Sequence, residues 1–385
     1  MKQIFFGAHV FDADTHTFLR RDVSVQNGRI ESVAPSIPDT DAERIDCGGM
    51  YLIPGMIDVH THGRAGYDFT TVPRDKMEAV LLDYAAAGTT TVLPTLASAL
   101  FADWISAVRR ITGFGRETHD GAYVPGIHLE GRYLSEARRG AHAADLLAPP
   151  SAAELQALME AAASSSVHIS LAPELPGSGE FIREAVRLGA TVGIAHTDCT
   201  FEEAMDAVAR GAVSFTHTFN CMRPLHHRDP GCVGAALLCE DAYAEIICDG
   251  LHSHPAMTKL LWRAKSPDRI VLITDSMEAT GCGDGRYSIA GLPVIVKNGR
   301  AVTVEGALAG STLTLFDGMV NFMRFTGASL EDAIPLATEN PARMTGLYGT
   351  VGSITPGKRA DMILLDDPAD PKIRAVVCGG AILNH

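Results

Sequence analysis

The chain has no CxxC pair, no apolar run near the roughly 18 residues of a membrane span, no GxGxxG after an early strand, and no lysine between Lys76 and Lys259. Each absence excludes something. Without CxxC, the eight cysteines (Cys47, Cys199, Cys221, Cys232, Cys239, Cys248, Cys282 and Cys378) make neither a zinc ribbon nor a dithiol redox motif, and they read as reduced thiols of a cytoplasmic protein. Without a long apolar run no transmembrane helix is expected. His9, Asp12 and Asp14 interrupt the opening MKQIFFGAHVFDADTH too early for a signal peptide. Positive charge is also in deficit. The formal net charge of −14 disfavours nucleic acid and anionic membranes as partners, and an anionic small molecule would need a local basic cluster.

What is present is ordinary for a globular protein: 385 residues, 46% apolar and 20% charged, enough for a large barrel with an appendage. The first fifty residues read as short strands with a hairpin signal at Asn27-Gly28. RADMILLDD and AVVCGGAIL near the end are also β-rich. Residues 1–53 and 350–385 are therefore expected to build one small β-sandwich domain. Between them, eight apolar runs alternate with helical patterns: 56–60, 90–95, 123–130, 167–174, 191–196, 212–217, 244–250 and 269–275. This alternation predicts an α/β fold, a (β/α)8 TIM-like barrel over residues 54–349, with a β-hairpin inserted at about 290–305 around Asn298-Gly299.

In such a barrel the chemistry sits where the strands end. His60 and His62 close the first run, Glu130 the third, His196 the fifth, His217 the sixth and Asp275 the eighth. Residues i and i+2 of a strand share a face, so His60 and His62 can both point into the mouth. Imidazoles and carboxylates together suit a divalent transition metal (Zn²⁺, Fe²⁺, Mn²⁺ or Co²⁺), one or two per subunit. Two metals need a bridging anion. No lysine in the right part of the chain can carry a carbamate, which leaves Glu130 as ligand and bridge. The metal would generate a hydroxide nucleophile near neutral pH, and Asp275 would serve as general base and acid. His128 and His168, inside strands, read as interior histidines. His226, His227 and His254 read as structural.

The segments PGMIDVHTHG, GIHLEGRYLS, RRGAH, GIAHTD, THTFNCMRPLHHRDPG, CDGLHSHP, LITDSMEATGCGDGRYSIAG and LAGSTLTL resemble, in order, the amidohydrolase superfamily and within it the N-acetylglucosamine-6-phosphate deacetylase family. The resemblance implies a primary metal site at Glu130, His196 and His217, a catalytic Asp275, and a carbonyl-polarising His142. It implies substrate contacts at Asn220, Cys221, Arg228, His252, Leu308 and Ala309, and a homodimer in which Arg228 serves the neighbouring subunit. His60 and His62, absent from some relatives, make room for a second metal. The expected reaction is hydrolysis of the N-acetyl group of an amino-sugar 6-phosphate, a small-molecule partner. The chain departs from the family at Gly131-Arg132 and in YLSEARRGAHAADLL, where Arg132, Arg138 and Arg139 are expected to strengthen phosphate binding or change the preferred epimer. The galacto epimer, another amidohydrolase reaction such as deamination or cyclic-amide hydrolysis, and a non-catalytic barrel are the alternatives.

Overall fold

All eight apolar runs form parallel strands in the computed structural model, which describes residues 2–38 and 41–384. Met1 and His385, the outer limits of the predicted terminal domain, lie outside the described residues. The barrel strands are Met56–Thr61, Thr89–Leu96, Gly126–Glu130, Ser166–Leu171, Thr191–Ile194, Ser214–Phe215, Tyr243–Ile247 and Ile270–Ile273. Each is hydrogen-bonded to the next in chain order, and a parallel bridge from Thr61 to Ser276 joins the first strand to the chain just past the eighth. The result is a near-closed TIM-type barrel. Every residue of the first two strands is buried, as strands covered on both faces require.

The intervening helices follow from local sequence. The helix Phe201–Ala209, after the fifth strand, starts at a capping box: the Thr200 hydroxyl accepts the Glu203 amide while the Glu203 carboxylate accepts that of Thr200. This anchors the loop that leaves His196. Five runs nevertheless stop short of the predicted strand ends, the fourth at Leu171 and the seventh at Ile247, and the other three carry candidate site residues. Those three end at Ile194, Phe215 and Ile273, and His196, His217 and Asp275 each lie two residues beyond, with φ of 43°, 34° and 49°. A non-glycine residue in the left-handed region costs on the order of 1–3 kcal/mol, a strain found mainly at functional sites. Apolar patterning cannot reveal such a bend.

The two termini meet in a separate sheet, ordered Ala381–Asn384, Ile373–Cys378, Met362–Leu365, Tyr51–Pro54, Lys2–Asp12, Thr17–Gln26 and Arg29–Ala34, with Glu43–Asp46 pairing Lys2–Asp12. It wraps its own apolar cluster, including Phe5, Val10, Val23, Leu52, Met362 and Val377, into a sandwich-like unit. The Asn27-Gly28 turn has positive φ at both residues and joins two antiparallel strands, as predicted. The insert differs from expectation. It is three-stranded (Gly285–Ile289, Leu292–Lys297 and Arg300–Thr303), because a second tight turn at Ala290-Gly291, also positive in φ at both residues, adds a strand ahead of the predicted pair. Among the described residues no helix is long and apolar enough to cross a membrane.

Candidate metal centre

The strand-end residues converge on Glu130. Its Oε1 lies 2.9 Å from His217 Nε2 and 3.3 Å from His196 Nε2, and the two imidazole nitrogens are 3.1 Å apart. Its Oε2 lies 2.9 Å from His62 Nε2 and 3.1 Å from His60 Nε2, and Asp275 Oδ1 stands 3.3 and 3.5 Å from the same two nitrogens. Glu130 therefore presents one oxygen to each of two donor groups. Ligands about 2.0–2.1 Å from a tetrahedral ion stand roughly 3.3–3.4 Å from one another, so both groups have the dimensions of a coordination shell. His60, His62, Glu130 and Asp275 form one set able to hold a cation, and Glu130, His142 and His196 another.

The electrostatics agree with a site shaped for positive charge. Burial opposes protonation of His60 and His62, but the carboxylates of Glu130 and Asp275 outweigh it and hold both imidazoles above their usual range, His62 at about 9. Burial likewise opposes ionisation of Asp275, yet His60 and His62 hold it down at about 2. Asp275 is thus a carboxylate. A divalent ion held between these groups would balance the same charges.

His142 is arranged differently. Burial lowers its imidazole to about 3, so it is neutral. Its Nδ1 lies 2.8 Å from Ser98 Oγ and accepts the Ser98 amide at 3.4 Å. Because Nδ1 accepts the Ser98 amide it carries no proton, so the Ser98 hydroxyl, which itself accepts the Arg132 amide, donates to it. With Nδ1 accepting, the ring proton is on Nε2, which stands 3.9 Å from Glu130 Oε2. The RRGAH loop approaches this closely because Gly140 has φ of 55° and no side chain: a Cβ there would lie 2.9 Å from Cys221 Sγ and 3.1 Å from His196 Cε1.

His62, Glu130, His142, His196, His217, Asn220, Cys221, His252, Asp275 and Leu308 line one cavity of about 270 Å³, with Ile289 of the insert at its edge. The cavity is at the small end for a ligand site. His60 lies beneath it, fully buried. Ala309 is buried between two lining residues. Arg228 is exposed in the loop after the sixth strand, its Nη1 2.7 Å from His227 Nε2, and it is not among the lining residues. His252 donates Nδ1–H to Asp249 at 2.7 Å; burial opposes its charge, but Asp249 holds the imidazole above its usual range. A larger cavity of about 670 Å³ elsewhere has its basic groups already paired, Arg343 and His16 with Glu339 and Arg269 with Asp268.

The three arginines of the divergent loop are engaged within the chain. Arg132 binds Glu154 and the Ala99 carbonyl, Arg138 binds Asp198, and Arg139 holds the His142 carbonyl. His128 and His168 are interior histidines, bonded to Ser170 and to Thr191. His254 caps the helix Pro255–Ala264. Sequence reasoning missed two supporting residues. Asp58 accepts the Thr274 hydroxyl at 2.6 Å and so ties the first strand to the eighth; its i−2 spacing from His60 was the available signal. Ser98 carried no signal, since only folding brings it to His142.

A barrel with imidazoles and carboxylates gathered at its C-terminal mouth defines a metal-dependent hydrolase, and residues 51–383 match the profile of the amidohydrolase family, to which this chain belongs. It is 37% identical to the N-acetylgalactosamine-6-phosphate deacetylase of Escherichia coli O157:H7 over 88% of this chain and 87% of the relative. It is 35% identical to the N-acetylglucosamine-6-phosphate deacetylase of Vibrio furnissii over 88% and 84%. The crystal structure of N-acetylglucosamine-6-phosphate deacetylase from Pasteurella multocida matches over 100% of both chains, with a TM-score of 0.93 at 26% identity.

Proposed function

We propose that the chain hydrolyses the N-acetyl group of N-acetylglucosamine 6-phosphate, releasing acetate and glucosamine 6-phosphate. One observation carries this reading: the two donor groups of Glu130, the ionised Asp275 and the neutral His142 gather at one cavity, with His60 directly beneath it. Glu130, His196 and His217 would hold one divalent transition metal, and His60, His62 and the second Glu130 oxygen another. When bound, such a metal supplies Lewis acidity to the carbonyl and to water. Asp275 takes the proton of the attacking water and returns it to the nitrogen as the C–N bond breaks. His142 donates Nε2–H to the carbonyl oxygen, on which charge grows as the carbon becomes tetrahedral.

Phosphate recognition falls to His252, with Asn220 and Cys221 at the neighbouring turn and Leu308 and Ala309 against the sugar. Arg228, exposed and outside its own chain's cavity, would serve the second copy of a homodimer. A cytoplasmic location is supported by eight free cysteines. The E. coli relative supports a second substrate, the galacto epimer. The test is acetate release by metal-loaded protein from both phosphorylated epimers and from unphosphorylated N-acetylglucosamine. Release from a phosphorylated sugar alone supports the reading, and the ratio names the epimer. No release from any of them refutes it and points to another amide or amidine.

A further inference from the structure

Below the cavity, the barrel interior holds a carboxylate that the reaction does not use. Glu245, on the seventh strand, is fully buried. Its Oε1 accepts the Ser214 hydroxyl at 2.7 Å and lies 3.8 Å from His168 Nε2. Among the described residues its Oε2 has no hydrogen-bond partner, and neither has His60 Nδ1, equally buried; the two atoms are 3.9 Å apart. A buried carboxylate oxygen and a buried ring nitrogen without partners are both costly, because each has given up its bonds to water. Here the two face each other, and a sub-ångström shift makes the bond.

The room for this arrangement comes from Gly193 on the fifth strand. A Cβ there would lie 2.6 Å from Thr216 Oγ1, 3.0 Å from Ser214 Oγ and 3.1 Å from His168 Nε2, so the position that would otherwise fill the interior is left to the polar groups. His60 Nε2 already points at Glu130 and Asp275. To offer a lone pair there, His60 must carry its proton on Nδ1, and that proton needs an acceptor.

We propose that Glu245 is a positioning residue for the His60/His62 half of the site: it accepts Nδ1–H of His60 and thereby fixes the tautomer that presents Nε2 to a cation. The proposal rests on the metal-centre reading, and metal titration separates the two. Protein stripped of metal is titrated with Co²⁺ or Zn²⁺, and affinity and stoichiometry are measured by calorimetry and elemental analysis. The parent takes up two equivalents. Glu245→Met, of similar length but without an acceptor, retains the equivalent at Glu130, His196 and His217 and binds the other 10- to 100-fold more weakly. Glu245→Gln keeps an acceptor oxygen and recovers part of the loss; it also tests the proposal if the methionine variant does not fold, since a glutamine variant that binds both equivalents with a smaller but measurable weakening supports it. Variants that bind both equivalents as tightly as the parent overturn the proposal, as does a parent that takes up a single equivalent unaffected by either substitution. A parent that binds no metal refutes the metal-centre reading itself.

Discussion

Ser98→Ala tests whether His142 acts as a neutral donor held by its neighbour. The substitution removes the 2.8 Å bond from Ser98 Oγ to His142 Nδ1 and leaves the longer 3.4 Å contact from the Ser98 amide. A neutral hydrogen bond contributes about 0.5–1.5 kcal/mol, which corresponds to a fall of roughly two- to twelvefold in kcat if the whole effect reaches the transition state. His142→Ala removes the donor itself, a loss of about 10²–10³ in kcat, as for an oxyanion-hole group. Because Ser98 acts through His142, the serine substitution has almost no further effect in the His142→Ala background. Steady-state acetate release gives kcat and KM for the parent, both single variants and the double variant; KM changes little in any of them. His142 stays neutral with a value of about 3, so the pH profile between about 6 and 9 keeps its shape in the alanine variant. Equal losses from Ser98→Ala in both backgrounds, or a titration limb that disappears with His142, would refute the reasoning.

Asp275→Asn should lose about 10²–10⁴ in turnover while metal content stays at the parent level, because a proton carrier is removed and the strongest donors remain; unchanged turnover in assays of acetate release counts against the assignment. Arg228→Ala should weaken a phosphorylated substrate by about 1.5–3 kcal/mol, the range for a hydrogen bond to a charged group, and leave an unphosphorylated one alone; equal KM changes for both would remove Arg228 from phosphate recognition. The Asp249–His252 pair predicts a bell-shaped contribution to stability. Burial raises Asp249, but His252 and the amides of Leu251 and His252 bring it below its unfolded value of 3.8, so its contribution is present above that pH and is lost as pH falls through the folded value. His252 lies above its unfolded value of 6.5, so its contribution is complete below that pH and is lost as pH rises through the folded value. The stability gap between the parent and Asp249→Asn, measured by urea unfolding, is therefore widest between about pH 4 and 6.5; a gap independent of pH would show that the pair does not couple to folding.

Sequence alone reached a parallel α/β architecture and favoured the barrel over a doubly wound open sheet. Eight apolar runs separated by helical patterns can bury both faces of each strand only in a parallel sheet, and strand-end polarity at His60, His62, Glu130, His196, His217 and Asp275 located the mouth. Spacing also placed His128 and His168 in the interior. Two kinds of information were missing, for different reasons. Bends depend on backbone conformation, which side-chain type does not report: the left-handed turns at His196, His217 and Asp275, and the Ala290-Gly291 turn that adds a third strand to the insert, appeared only in the folded chain. Partnerships between distant segments depend on tertiary packing. Ser98 meets His142, Asp58 meets Thr274, Glu245 faces His60, and Arg132, Arg138 and Arg139 satisfy groups of their own chain. A hydrogen bond constrains two atoms to within about 3 Å but places no constraint on how far apart their residues lie in the chain, so local pattern could name the donors and only the fold could pair them.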